Sequence, residues 1–318
     1  MNQGAQKIFN QSTLLAMLSG QTGLTQAQLA QKSGLQPSTV SNLIKDFKKR
    51  GLIKFSGKSL SAPAGGKPGN LLHLNPDYGS FGGIYLTQGA AQITVCDFSG
   101  KMTEKNNLQF AGLCEKKISE ALLAGIYKLI KNFPDLRYLG IAVSSVVDNS
   151  GRIVPSIDYY RNFPRLNDKI RKAVKVPLII ENDANSLAYF ALKKYSCRHL
   201  LAFLLNFPRF FGAGIILDNS IYRGAYGGAG EIRRWRGTST VLSPVNTARQ
   251  IVYLAHFFDI PAVVLAGDID GHHPGFINSC RQYIYRYYHG NIYRITGRDG
   301  IVTGISLLAL EHFLKKIF

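Results

Sequence analysis

The sequence predicts an α/β protein, a small N-terminal winged helix-turn-helix followed by a larger body, and three observations carry that prediction. Residues 24–74 hold two short helical stretches joined by a Ser-Gly turn, then a hairpin with a Gly/Pro/Lys tip. From residue 79 onward, apolar strands alternate with helical stretches, the pattern of a layered α/β sheet. Charge is unevenly placed: within a net +19, residues 1–78 hold nine Lys/Arg against Asp46 and Asp77, a local balance of +7.

The N-terminal elements follow from local chemistry. Thr25 is a candidate N-cap for a helix over about 25–32, with Gln28 placed to reach back to it and Leu24 and Leu29 at the staple positions. Ser33-Gly34 supplies the turn, and Pro37, whose missing N–H costs nothing at a first helical position, starts a second helix to about residue 50. Val40, Leu43, Ile44 and Phe47 form one apolar stripe. That leaves Ser38, Thr39, Ser41, Asn42, Lys45, Lys48 and Lys49 outward, a face suited to a major groove. Residues 52–55 and 71–74 read as paired strands. Their connection carries Lys58, Lys67 and no acidic residue, so it is expected to act as a wing narrow enough for a minor groove. Gln36, Ser38, Thr39 and Asn42 are expected nearest the bases; Lys45, Lys48, Lys49 and Lys67 are expected nearer phosphates or the minor groove. One more helix within residues 1–23, with Leu14, Leu15 and Leu18 on a common face, should lie beneath them.

Such a basic head favours a polyanion, and nucleic acid over a membrane surface, because no basic amphipathic helix stands out. Cys96, Cys114, Cys197 and Cys280 show no CxxC spacing, which argues against a disulfide framework or a structural zinc cluster and fits a reducing cytoplasm. The apolar run at 200–207 is too short to span a bilayer. Arg281, Arg286, Arg294 and Arg298 interleave with tyrosines, which reads first as a solvated amphipathic helix and second as another nucleic-acid surface.

Turn chemistry at 75–79 is the expected joint between residues 1–78 and the body. Strands are expected at 83–86, 92–97, 138–147 and 176–180, with a helix at 115–131. A second lobe should start near residue 188, with strands at 200–205, 214–217 and 262–265 and a helix at 241–258. The lobes are thus set at 79–187 and 188–304, with the amphipathic stretch 305–318 returning to the first. No internal repeat is visible in the sequence.

The order helix-turn-helix, then GGKPGNLLHLN, then this body resembles the repressor branch of the ROK family (repressor, open reading frame, kinase), which includes xylose and N-acetylglucosamine repressors. The resemblance covers nearly the whole chain and implies a two-lobed, actin-like ATPase fold of the sugar-kinase kind. IIENDANSLAYF resembles the family segment that hands a carboxylate to the sugar. It implies that Asp183 aligns with the general base of the kinases and Asn182 with a ligand of ring hydroxyls. YGGAGEI resembles the family's Gly-Glu motif, which places Glu231 at the sugar's anomeric end. Read from the residues alone, Asn182 and Asp183 equally suit the cap of the following helix.

Departures from the family pattern favour a binder over an enzyme. Where the kinases open with Asp-x-Gly-Gly-Thr, this chain has Tyr85-Leu86-Thr87-Gln88-Gly89, so an aromatic stands in the place of the metal-serving acid. The second phosphate loop corresponds to Pro208-Arg209-Phe210-Phe211-Gly212, and the Pro-Gly-Pro segment to Ser144-Ser145-Val146-Val147-Asp148. The family's zinc-bound Gly-His is Arg233-Arg234 here, and an Arg cannot ligate zinc. No catalytic residue, metal or cofactor is therefore expected. Arg234 joins Asn182, Asp183 and Glu231 as a candidate effector ligand and would favour a sugar derivative with an anionic group. The expected function is a repressor-like regulator of carbohydrate-related genes, binding an operator as a homodimer or dimer of dimers without a membrane partner. A sugar kinase with an accessory DNA module, and a regulator that has lost its sugar, remain the alternatives.

Overall fold

The computed structural model describes residues 3–19, 23–59, 69–87, 89–110, 115–154, 166–206, 210–232, 243–295 and 298–318. The head consists of α1 (Gln3–Leu18), α2 (Gln26–Ser33), α3 (Pro37–Lys49) and the hairpin β1 (Ile53–Lys58)/β2 (Asn70–Leu74). Its local signals act as anticipated. Gln28 N–H donates to Thr25 Oγ1 at 3.2 Å while Thr25 N–H donates to Gln28 Oε1 at 2.9 Å, a reciprocal capping box. Gly34, at φ 70°, closes α2 in the left-handed region. Val40, Leu43, Ile44 and Phe47 are all buried, as are Leu14, Leu15 and Leu18 of α1. The wing strands pair from Ile53↔Leu74 to Lys58↔Asn70 with a register shift after Phe55. The wing tip at 60–68, which includes Lys67, lies outside the described residues.

The body holds two five-stranded sheets. In the first, β3 (Ser80–Thr87), β4 (Ala90–Asp97), β5 (Met102–Gln109), β6 (Leu136–Val143) and β9 (Leu178–Asn182) lie in the order β5-β4-β3-β6-β9. A short hairpin, β7 (Val146–Val147)/β8 (Ile153–Val154), interrupts it. The second sheet has β10 (Leu200–Asn206), β11 (Phe210–Leu217), β12 (Ser220–Ile221), β13 (Ala262–Ala266) and β14 (Asn291–Arg294) in the order β12-β11-β10-β13-β14. Each sheet is a three-strand antiparallel meander extended by two parallel strands. One topology is used twice, a duplication that leaves no trace as a sequence repeat.

Helices fill three layers. α4 (Glu115–Asn132) and α5 (Leu166–Ala173) cover one face of the first sheet, burying Ile118, Leu122, Ile126 and Ile170. α7 (Pro244–Phe257), the single turn α8 (Ile269–His272) and α9 (Phe276–Tyr287) cover the outer face of the second. The Arg/Tyr run belongs to this layer. Ile277, Cys280 and Ile284 point inward, Tyr285 and Tyr287 outward, and Arg294 and Arg298 pair with Asp270 and Asp268. Between the sheets lie α6 (Asp183–Tyr195) and α10 (Asp299–Lys316).

Those two middle helices are seated by glycine. A Cβ at Gly304 of α10 would stand 1.9 Å from the Ser186 carbonyl oxygen of α6. On the first sheet, Cβ atoms at Gly83 and Gly140 would stand 2.6 and 2.5 Å from the Val302 and Ile305 carbonyls of α10. On the second, one at Gly214 would stand 2.1 Å from the Ala184 carbonyl of α6. Backbone therefore meets backbone in a layer where any side chain would force the elements apart.

Two expectations are corrected. The strand anticipated over 138–147 ends at Val143, because the chain bends at Ser144-Ser145 to aim the Ser144 hydroxyl at Asp183. The C-terminal helix begins at Asp299 rather than 305 and lies between both sheets. The turn chemistry expected at 75–79 takes the form of a 3-10 turn, Pro76–Tyr78, with Asn75 Nδ2–H donating to the Gly51 carbonyl at 2.8 Å.

Head and body share one apolar cluster. Phe47, Leu52 and Leu74 of the head join Phe81 of β3, Phe98 of the turn after β4, and Leu310 and Leu314 of α10. Phe318 lies 5.8 Å from the Phe47 ring and beneath the Arg50 guanidinium at 4.3 Å, and Arg50 also donates to the Ile317 carbonyl at 3.1 Å. Replacing Gly304 with Ala should cost about 1–3 kcal/mol or more in urea unfolding, since the neighbouring atom is backbone and cannot rotate away. Gly271→Ala, with nothing near its position, serves as the control and should stay within about 0.5 kcal/mol.

Candidate functional site

The exposed polar surface of the head is built by α3. Its buried stripe anchors the helix, and its other side leaves Gln36, Ser38, Asn42, Lys45, Lys48 and Lys49 exposed, with Thr39 half-buried beside them. Lys48 Nζ stands 5.2 Å above the Phe55 ring of β1, which ties the helix's basic end to the wing strand. Asp46 faces the other way, accepting from Gln11 of α1 at 3.2 Å, so the outward face of α3 carries cations and neutral polar groups alone.

The second site lies where β9 hands over to α6. Asn182 caps α6, its Oδ1 accepting from Asn185 N–H at 3.1 Å, while its Nδ2–H donates to the Ser145 carbonyl at 3.0 Å and reaches Glu231 Oε1 at 3.5 Å. The cap reading and the ligand reading of Asn182 thus coexist in one geometry. Glu231 comes from the second half of the body. Its segment is pinned by Gly230, whose carbonyl accepts from Ala213 N–H at 2.9 Å and whose φ of +87° suits glycine. Asn182 and Glu231 are brought together, while Asp183, next in the chain, turns its carboxylate to Ser144 and Tyr85; Arg234 lies outside the described residues.

Asp183 is 6% exposed. One carboxylate oxygen accepts from Ser144 Oγ–H at 2.5 Å and from Tyr85 O–H at 3.3 Å, and the other from Ala184 N–H at 2.9 Å. Burial pushes its pKa up to about 6, against the three hydrogen bonds, which pull it down. Burial and the nearby Asp183 charge push the Tyr85 phenol well above its ordinary range, so it remains a donor. Two departures from the family pattern, Tyr85 and Ser144, therefore converge on a single carboxylate. Phe210 and Phe211 fall in β11, where their backbones pair with Asn206 and Leu205.

Sequence reasoning missed one pair. Glu181, immediately before the motif, is 4% exposed, accepts from Asn182 N–H and Asn185 Nδ2–H at 2.9 and 3.0 Å, and is held by Arg223 Nε–H at 2.9 Å. Arg223 sits 42 residues away in the chain, so no local spacing could reveal the partner.

The raised Asp183 pKa fixes a sign. Between its ordinary value of 3.8 and about 6 the folded state holds a proton that the unfolded state lacks, so stability falls as pH rises through that window and stays reduced above it. Asp183→Asn keeps the shape without the charge, and the Ser144 and Tyr85 hydroxyls can turn to accept from the amide. The variant should exceed the parent in stability by up to about 3 kcal/mol at pH 8, with the gap closing toward pH 4 in denaturant titrations.

Known proteins bear on this architecture. Residues 82–233 match the ROK family and residues 8–58 the MarR family. The xylose repressor of Bacillus subtilis is 24% identical, covering 98% of this chain and 97% of its own. That of Staphylococcus xylosus is 26% identical over 74% of this chain, which spans 62% of that protein. NagC of Escherichia coli, a DNA-binding transcriptional dual regulator, is 25% identical over 71% of this chain and 57% of its own length. Among solved structures, a ROK family transcriptional regulator homologous to the Escherichia coli Mlc protein superimposes with a TM-score of 0.71 at 16% identity, covering 98% of both chains. A ROK glucokinase of Streptomyces griseus gives 0.60 at 18% identity, covering 73% of this chain and 99% of its own. The chain thus joins a winged helix-turn-helix head similar to the MarR family to a two-lobed sugar-kinase-like body, of which residues 82–233 match the ROK family.

Proposed function

We propose that this protein is a sequence-specific DNA-binding regulator, acting as a repressor of carbohydrate-related genes, whose body senses a sugar or sugar derivative. The observation that carries this reading is the exposed polar and basic face of α3 on a head whose core continues into the body. In this reading Gln36, Ser38, Thr39 and Asn42 meet base edges. Lys45, Lys48 and Lys49, with Lys67 of the wing, meet phosphates or the minor groove. Two heads in a homodimer, or in a dimer of dimers, read half-sites about 34 Å apart or a multiple of that spacing. The effector contacts Asn182, Asp183 and Glu231, with Arg234 on an anionic group.

The body is read as a sensor rather than a kinase. A general base must reach a substrate hydroxyl, whereas the Asp183 carboxylate is engaged by Tyr85, Ser144 and the Ala184 amide. Tyr85 also takes the place of the acid that serves a metal in sugar kinases of this fold. The xylose repressors and NagC are regulators by name, which supports the same reading.

Selection of binding sites from random DNA should yield a palindromic sequence. On it, Asn42→Ala should relax base preference at one position per half-site at a cost of about 1–3 kcal/mol. Lys48→Ala should weaken all sequences alike and flatten the salt dependence by about one unit of slope. Recovery of no enriched sequence, or ATP-dependent phosphorylation of a hexose that Asp183→Asn abolishes, would instead support a kinase.

A further inference from the structure

A cleft of about 660 Å³ opens beside β9, and neither Asn182, Asp183 nor Glu231 is among the residues that line it. Three parts of the molecule meet there: the edge strand with Glu181, the β12 hairpin with Arg223, and the last turns of α10 with Glu311, His312, Lys315 and Lys316. Arg171 of α5 closes one side, donating to the Gly151 carbonyl at 2.9 Å. The half-buried Ile179 and Ile221 and the buried Leu308 add apolar wall.

The charges are ordered. Each carboxylate is engaged close by, since Glu181 holds Arg223, Glu311 holds Lys315 at 2.8 Å, and Asp148 accepts from the Ser150 and Arg152 amides at 2.9 Å. Four cations, Arg171, Arg223, Lys315 and Lys316, face three such acids. Lys316 Nζ approaches an uncharged partner, the Tyr138 hydroxyl, at 3.5 Å. His312 is held below its ordinary pKa first by burial and then by Lys315, with Arg223 and Lys316 adding and Glu311 opposing. It stands neutral at pH 7 and can take up a proton if an anion enters.

We propose that this cleft is a second small-molecule site, separate from the Asn182/Asp183/Glu231 site, and that it takes a compact phosphate dianion carried on a small ring, the chemistry of a sugar phosphate. Arg171, Arg223 and Lys316 meet the phosphate, and the ring lies against Ile179, Ile221 and Leu308. The volume falls within the usual range for small-molecule sites and far exceeds what a bare phosphate fills. Occupation links both lobes to the end of α10, whose Phe313, Leu314, Ile317 and Phe318 pack into the cluster shared with the head. The ligand therefore favours whichever lobe arrangement presents all three parts together, and DNA affinity responds through the same helix.

The test uses the full chain, with glucose 6-phosphate, glucose and inorganic phosphate as probes. Calorimetry is paired with the imidazole resonances of His312, assigned by His312→Gln. Glucose 6-phosphate should bind and raise the His312 pKa, inorganic phosphate should do the same at least tenfold more weakly, and glucose should leave His312 unmoved. The double variant Arg171→Ala/Lys316→Ala should weaken the glucose 6-phosphate binding that shifts His312 at least tenfold while its melting temperature stays near the parent's. Unmoved His312 resonances with glucose 6-phosphate, or an equal His312 shift in the double variant at the same ligand concentration, would overturn the proposal. Equal affinity for inorganic phosphate would overturn the ring contacts.

Discussion

The structure depends on a crossing of two helices with no side chain between them. At Gly304 and Ser186, α10 and α6 touch backbone to backbone, and the glycines at 83, 140 and 214 bring the two sheets onto the same pair. Such contacts are steep: a few tenths of an ångström separates attraction from overlap. The two halves of the body are thus coupled to one layer, and a shift of one half relative to the other must be taken up by sliding or pivoting of α6 and α10. Both helices have consequences at their ends. α6 starts at Asp183, in the candidate sugar site, and α10 ends at the aromatic cluster beneath α3.

This arrangement explains how a sugar-kinase-like body can serve a DNA-binding head. The head is not suspended on a linker; the 3-10 turn at Pro76–Tyr78 is tied back to Gly51, and Tyr78 packs on Phe98 and Phe313 at 4.8 and 6.2 Å. Phe47 carries α3 from inside, and Phe318 of the body touches it. Buried aromatic contacts of this kind keep two parts in register without large interfaces. At the other end, Tyr85 and Ser144 hold a buried carboxylate in place at some expense of stability. That combination suits a site that gains by changing its hydrogen bonds when a ligand arrives.

Much of the head was legible in the sequence because its signals are local. The capping box at Thr25, Pro37 at the start of α3 and the stripe ending at Phe47 each act within a few residues. In the body, legibility followed the same rule. Strands such as β10 and β13 were visible as apolar runs, and the turn at 98–101 pointed to a strand after it without giving its extent, while the full length of α10, buried nearly all round, was not visible. The Asn182/Asp183/Glu231 grouping was reached through resemblance rather than periodicity. The contacts of Asp183 with Tyr85 and Ser144 span 98 and 39 residues, and that of Glu181 with Arg223 spans 42, so they exist only once the sheets are assembled. The duplicated strand order is likewise a property of the fold, since five strands can repeat their neighbours without repeating their residues.

The apolar cluster that Phe47 shares with Phe313 and Leu314 couples the head's stability to the last helix of the body. Native-state hydrogen exchange at the Val40, Ile44 and Phe47 amides of α3, compared between the parent and Phe313→Ala/Leu314→Ala, tests it most directly. The account predicts that protection of these amides falls at least tenfold in the variant although no atom of the head has been changed. Unaltered protection in α3, alongside loosened exchange in α10 itself, would contradict it and make the head an independent domain.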